Sequence, residues 1–150
     1  MRAGVLGSPI RHSLSPVLHR AAYAELDLDW TYDAHEVDEG GLPGFLAGLD
    51  GSWGGLSLTM PLKRAVLPLL AELRPLARAV GAANTVVPLA ASDDGLPLPL
   101  AGDNTDVPGM VAALRAAGVD RVERACVLGA GATASSALAA LLELGERAPV

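Results

Sequence analysis

Lys63 is the only lysine among the eleven Lys and Arg residues of this 150-residue chain, and it closes the stretch Ser57-Leu58-Thr59-Met60-Pro61-Leu62-Lys63. Where a chain draws nearly all its positive charge from Arg, a lone Lys marks a position at which a guanidinium does not serve. An ammonium can release its proton, whereas a guanidinium in a protein effectively cannot. Proton transfer and Schiff-base formation are the two chemical tasks that follow; an exposed lysine kept by chance is the plain alternative. Asn84 and Asn104 are the only carboxamides, each is followed by Thr, and the chain has no Gln. Both suit turns, and both can also point into a cleft. Ser13 and Ser15 alternate at the mouth of an expected helix, a place suited to an anion such as a carboxylate. Gly129-Ala130-Gly131 could cradle a pyrophosphate on backbone N–H groups, with a tight packing turn as the alternative. His12, His19 and His35 have no partners at ligand spacing, so no metal site is expected.

These residues need elements to hold them. Val5 and Leu6 read as a buried strand ending at Gly7. Ser15-Pro16 is a helix start, with Val17, Leu18, Ala21, Ala22 and Leu26 forming a buried face. Trp30 to Val37 alternates as a second strand, and Asp38 caps a short helix carrying Leu42, Phe45, Leu46 and Leu49. Gly51 to Gly55 reads as a turn cluster before a third strand, Leu56 to Thr59. Pro61 ends that strand and puts Lys63 at a helix start. Pro68 and Pro75 cut residues 64–80 into short helical pieces. Thr85-Val86-Val87 is a strand, and Ser92-Asp93-Asp94-Gly95 is a hairpin turn returning through a Pro-interrupted edge strand at Leu98 and Leu100. A helix follows over about 106–117. Ala125-Cys126-Val127-Leu128 is expected as a buried strand leading through the glycine turn into a helix over 132–145. That strand, turn and helix open a dinucleotide-binding unit, whose next strand would begin near Pro149-Val150. The expectation is an N-terminal piece of a longer chain.

With 51% apolar residues and a net charge of -6, the chain has material for a core and no basic face for nucleic acid. No apolar run is long enough to span a membrane, and the N-terminus carries no secretory pattern. One cysteine, Cys126, cannot close an internal disulfide, which suits a reducing, cytoplasmic setting.

Five stretches in order resemble the shikimate dehydrogenase family: Gly7-Ser8-Pro9-Ile10-x-His12-Ser13-x-Ser15-Pro16-x-x-His19; Ser57-x-Thr59-x-Pro61-x-Lys63; Gly81-Ala82-Ala83-Asn84-Thr85; Gly102-Asp103-Asn104-Thr105-Asp106-x-x-Gly109; and the loop from Gly129. The resemblance covers about residues 4 to 145. It implies a three-layer α/β substrate domain with a mixed sheet over 1–105, then a linking helix and the first βα unit of a Rossmann NADP-binding domain over 106–150. It also implies reversible, NADP-dependent reduction of 3-dehydroshikimate to shikimate, on the route to aromatic amino acids, by a monomer or homodimer. Carried over by position, Ser13 and Ser15 bind the substrate carboxylate. Thr59, Asn84 and Asp103 hold ring hydroxyls. Lys63 is the catalytic acid/base with Asp103 beside it, and Gly129, Ala130, Gly131, Ala132 and Thr133 receive NADP. A lysine there stabilises charge growing on the ketone oxygen and supplies its proton.

The pattern departs from the family at Ser57, where Asn is usual, at Ser8 and Arg20, and at Ala132, which replaces a frequent Gly. Ala132 is acceptable unless the position needs a positive φ. An NAD-dependent quinate/shikimate dehydrogenase and a non-catalytic, shikimate-binding fragment are the alternative readings. The 150 residues alone are expected to show little turnover.

Overall fold

The computed structural model describes residues 1–89 and 98–145. Six strands form one mixed sheet: β1 (Arg2–Gly7), β2 (Thr31–Glu36), β3 (Trp53–Leu58), β4 (Glu72–Leu73), β5 (Thr85–Pro88) and β6 (Leu100–Asp103), in the order β2-β1-β3-β5-β6-β4. β1 runs parallel to β2 and β3, β5 is antiparallel to β3 and β6, and β4 is parallel to β6. The helices are α1 (Ser15–Glu25), α2 (Leu42–Ala47), α3 (Leu62–Ala65), α4 (Pro75–Val80), α5 (Asp106–Ala116) and α6 (Ala132–Gly145).

Strand side chains alternate between faces, so the apolar pattern divides the core in two. Leu6, Leu56, Leu58 and Val86 pack with Leu42 and Leu46 of α2 and Leu62 of α3. On the opposite face, Ala3, Val5 and Tyr32 pack with Ile10 and with Tyr23 of α1. The result is the expected three-layer arrangement. α5 and α6 make a third cluster from Val107, Val111, Ala140 and Leu144, which Leu76 and Val80 of α4 join.

Several expectations change. β3 begins at Trp53, so Gly54 and Gly55 are strand rather than turn. A Cβ on Gly54 would stand 2.9 Å from the Trp30 ring, which packs against that part of the strand. β4 was not foreseen between the helical pieces. It exists because Ala71 and Arg74 donate their N–H groups to the Leu100 and Gly102 carbonyls, docking this segment against β6. β6 is therefore an interior strand and not an edge. The Ser92–Gly95 hairpin turn lies outside the described residues.

α1 has no buried residue, contrary to its expected apolar face. It seats on the sheet through His19 and Tyr23, whose rings meet Tyr32 and Trp30. That leaves Val17, Leu18 and Leu26 turned outward. The expected strand Ala125–Leu128 is not a strand: no described residue pairs with its backbone, and Leu128 is 93% exposed. A strand's apolar residues are buried only when neighbouring strands and helices cover them, and none of the described residues does so here. α6 forms as expected, resting on α5 through Ala140 and Leu144 while Leu138 and Leu142 face outward. No helix among the described residues is long and apolar enough to cross a membrane.

Candidate functional site

Lys63 lies on α3, one residue inside the helix that Pro61 introduces. Leu62 and Val66 beside it are fully buried and fix the helix against the core. The Lys63 backbone carbonyl accepts the Ala83 N–H at 2.8 Å, tying α3 to the segment that carries Asn84. The Lys63 side chain is 14% exposed, and its Nζ donates to Asp106 Oδ2 at 2.5 Å. Asp106 opens α5, where a carboxylate is favoured by the helix N-terminus. Its other oxygen, Oδ1, accepts Asn84 Nδ2 at 2.7 Å. The Asn84 Oδ1 in turn accepts the Thr105 N–H at 2.9 Å and the Thr85 hydroxyl at 3.0 Å. An ammonium, a carboxylate and a carboxamide from three separate segments are thus joined into one polar chain.

Asp103, expected beside Lys63, makes no ion pair with it. Its Oδ1 accepts the Asn104 N–H at 2.7 Å, and its Oδ2 lies 3.7 Å from Arg74. The carboxylate that reaches Lys63 is Asp106, which the sequence reading missed. The two aspartates stand three residues apart, one ending a strand and the other beginning a helix. Their side chains consequently leave the backbone in different directions.

Asn104 serves the scaffold. It is 1% exposed, and its Nδ2 donates to the Ala82 carbonyl at 2.9 Å and to the Ser136 hydroxyl at 3.0 Å. Its Oδ1 accepts the Asp106 and Val107 N–H groups, which would otherwise be unsatisfied at the start of α5. Asp106 is held in place by this knot.

A row of polar side chains crosses the sheet from β3 to β6. Ser57, Thr85 and Asp103 are register partners on adjacent antiparallel strands, and such partners share a face. Beyond Ser57, the Tyr32 hydroxyl donates to Ser57 Oγ at 2.7 Å. At the mouth of α1, Ser13 Oγ accepts the Ser15 N–H at 3.3 Å. The helix begins at Ser15 with Leu14 at the cap position, so Ser13 rather than Ser15 supplies the hydroxyl to the first turn.

Gly7 lets Thr59 close on this end of the sheet. A Cβ at Gly7 would come within 2.4 Å of Thr59 Cγ2 and 2.9 Å of the Met60 carbonyl, so only glycine fits. Thr59 and Lys63 line a cleft of about 640 Å³ whose opposite wall is Gly129, Gly131, Ala132 and Thr133. Arg64 bridges the walls, donating to the Ala130 carbonyl at 3.3 Å and the Ser135 hydroxyl at 3.0 Å. Gly129 has φ +122°, and a Cβ placed on Gly129 or Gly131 would meet nothing within 4 Å. The loop backbone is open to a ligand, and α6 points its N-terminus at the same space. Ala132 is not among the positive-φ residues, so a side chain there costs nothing in backbone strain. Loop and helix fit the pyrophosphate of a dinucleotide.

Fold and cleft together define an α/β domain with a mixed sheet and a cleft walled on one side by a glycine loop. The chain matches the shikimate dehydrogenase substrate binding domain over residues 5–86, and it belongs to that family. It is 39% identical over 145 residues to the NADP(+) shikimate dehydrogenase of Thermus thermophilus, covering 97% of this chain and 52% of that one. It is 37% identical over 146 residues to the pentafunctional AROM polypeptide of Yarrowia lipolytica, of which it covers 9%. Among solved structures it resembles the Thermus thermophilus shikimate 5-dehydrogenase in complex with NADP(H) and shikimate, at a TM-score of 0.85 and 40% identity over 97% of this chain and 53% of that one. The Mycobacterium tuberculosis shikimate dehydrogenase superposes at a TM-score of 0.81 with 43% identity, over 96% and 51% of the two chains. The chain spans about half the length of the curated shikimate dehydrogenases it matches.

Proposed function

We propose that this chain binds shikimate and 3-dehydroshikimate and forms the substrate side of an NADP-dependent shikimate dehydrogenase. The observation that carries the reading is the Lys63–Asp106–Asn84 network, whose Lys63 lines a cleft that faces a glycine loop. A cyclic acid bearing several hydroxyls needs donors and acceptors along one line, with an anion site at one end. The row from Asp106 and Asn84 through Thr85 to Ser57, with Ser13 and Ser15 beyond, supplies them. In this reading Ser13 and Ser15 take the carboxylate, while Asn84, Thr59 and Asp106 hold ring oxygens. Asp103, its carboxylate turned to Arg74, contributes at most one hydroxyl contact from the same sheet face.

In this reading Lys63 Nζ is the group that meets the ketone oxygen. Its Nζ protons stabilise negative charge growing on that oxygen, and one of them is delivered to it in the reductive direction. Asp106 holds the ammonium in position and, through Asn84, keeps it registered to the rest of the site. NADP, held by the loop from Gly129 to Thr133, supplies or accepts the hydride when bound. The described residues furnish the loop and one helix of that cofactor site, so the chain as it stands is expected to bind the acid with little turnover.

Calorimetric titration of shikimate into the 150-residue chain tests the reading. Saturable binding is expected, weakened about tenfold or more by Lys63→Ala, as for loss of a hydrogen bond from a charged donor. A folded chain that takes up no heat, or a Lys63→Ala variant that binds as the parent does, sinks it.

A further inference from the structure

Tyr32 has no role in the chemistry described so far, yet it is buried, stacked and hydrogen-bonded beside the site. It is 2% exposed, on β2. Its ring stacks on the His19 imidazole with centroids 3.9 Å apart and planes 12° from parallel. His19 Nδ1 lies 2.9 Å from the Ser15 carbonyl, which can only accept, so Nδ1 carries the proton and the imidazole cannot turn over. Tyr23 closes the cluster from α1. The phenol is therefore fixed in position, and its single proton goes to Ser57 Oγ at 2.7 Å.

That donation determines what Ser57 can do. A hydroxyl carries one proton and two lone pairs, and a serine that accepts from a phenol keeps its own proton for another partner. Ser57 is half-buried and shares with His19, Tyr32 and Thr85 the lining of a hollow of about 170 Å³ on the open face of the sheet. Burial raises the Tyr32 phenol above its ordinary value of 10.0, while hydrogen bonds to Ser57 and Ser15 oppose the rise. The phenol thus stays neutral at neutral pH and keeps the proton that it donates to Ser57.

We infer that Tyr32 is a positioning residue, orienting the Ser57 hydroxyl so that Ser57, beside Ser15, donates to the carboxylate of the bound acid. This rests on the shikimate-binding reading above. An acid is then preferred over its neutral ester by a relay from Tyr32 to Ser57 to the carboxylate oxygen, and no cation is needed at that end of the site.

The test titrates shikimate and its methyl ester into the 150-residue chain and into Tyr32→Phe, Ser57→Ala and the double variant. Tyr32→Phe removes one oxygen and keeps the ring stack. It is expected to bind the acid about fivefold to tenfold more weakly, the effect of one charge-assisted hydrogen bond, while ester binding moves less than about twofold. The double variant should be no weaker than Ser57→Ala alone, because Tyr32 acts through Ser57. Acid binding unchanged in Tyr32→Phe, equal losses for acid and ester, or additive losses in the double variant each overturn the inference while the functional reading stands. A parent chain that binds neither ligand removes that reading, and this inference with it. If Tyr32→Phe does not fold, a fluorinated tyrosine at position 32 keeps the ring and strengthens the donor. Tighter acid binding with the ester unmoved then supports the relay, and no change overturns it.

Discussion

Replacing Asp106 by Asn tests whether the Lys63–Asp106 pair is the fixed centre of this molecule. The change keeps an oxygen for Asn84 Nδ2 but turns an amide donor, or an uncharged oxygen, toward the Lys63 ammonium. The two side chains are 14% and 20% exposed, and their polar atoms are 2.5 Å apart. At that separation the gross attraction is about 7 kcal/mol with an effective dielectric of about 20. Most of it is offset by the desolvation of both groups. The net value should fall between the ~0.2–1 kcal/mol of an exposed pair and the ~3–5 kcal/mol lost when a buried pair is broken. Asp106→Asn is therefore expected to cost about 1.5–3 kcal/mol, lowering Tm by roughly 4–10 °C for a chain of this size. Lys63→Met, which keeps the stem and removes the charge, should cost a similar amount. The double variant leaves neither charge unpaired. Thermal and urea unfolding of the parent, both singles and the double variant give the coupling directly. If the two losses add to within about 0.5 kcal/mol, the pair is not coupled and the geometry has been misread.

Three further outcomes follow from single contacts. Gly7→Ala should destabilise by about 1–3 kcal/mol and weaken shikimate binding together, because its Cβ would drive Thr59 and the Met60 carbonyl aside; a normal Tm refutes this. Glu36 is held below its ordinary carboxyl value of 4.5, first by the Ser8 hydroxyl and then by the Ile10 N–H. Its stabilising effect is thus complete above the unfolded value and lost as pH falls through the lower folded one, so Glu36→Gln should flatten the acid limb of Tm against pH. An acid limb as steep as the parent's would contradict it. Gly131→Ala meets no atom and no positive φ, so Tm should hold; but its methyl enters the space proposed for the pyrophosphate, and NADP binding should fall. Unchanged NADP binding by Gly131→Ala would remove the loop from the cofactor site.

Much of the fold was legible because local chemistry and long-range packing agree in this chain. Pro61 and the apolar residues after it set α3 and placed Lys63 correctly. The small residues of Gly129–Ala132 announced a turn into α6. Legibility failed where an element's character depends on what lies across from it. Val17, Leu18 and Leu26 have helical spacing, yet the helix turns by its aromatic pair instead, since stacking His19 and Tyr23 on Tyr32 and Trp30 buries more surface per residue than the aliphatic face does. Ala125 to Leu128 has the composition of an interior strand, and composition does not provide the neighbours that would make it one.

The choice between Asp103 and Asp106 shows the same limit within the site. The family resemblance put Asp103 beside Lys63, and Asp103 does share the register row of Ser57 and Thr85. What position in a motif omits is that Arg74, brought alongside by the short strand β4, lies 3.7 Å from that carboxylate. The buried Asn104 meanwhile starts α5 one turn away and aims the next carboxylate at Lys63. One cue was present in the sequence: an aspartate directly after Asn-Thr at a helix start sits where an N-terminus favours negative charge, and its position is fixed by the cap before it. A carboxylate fixed by a helix start makes a better counter-ion for the Lys63 ammonium than one at a strand end, because the helix start allows fewer directions. By that reasoning Asp106, and not Asp103, is the residue whose loss should cost both stability and binding, while Asp103→Asn should affect chiefly the contact with Arg74.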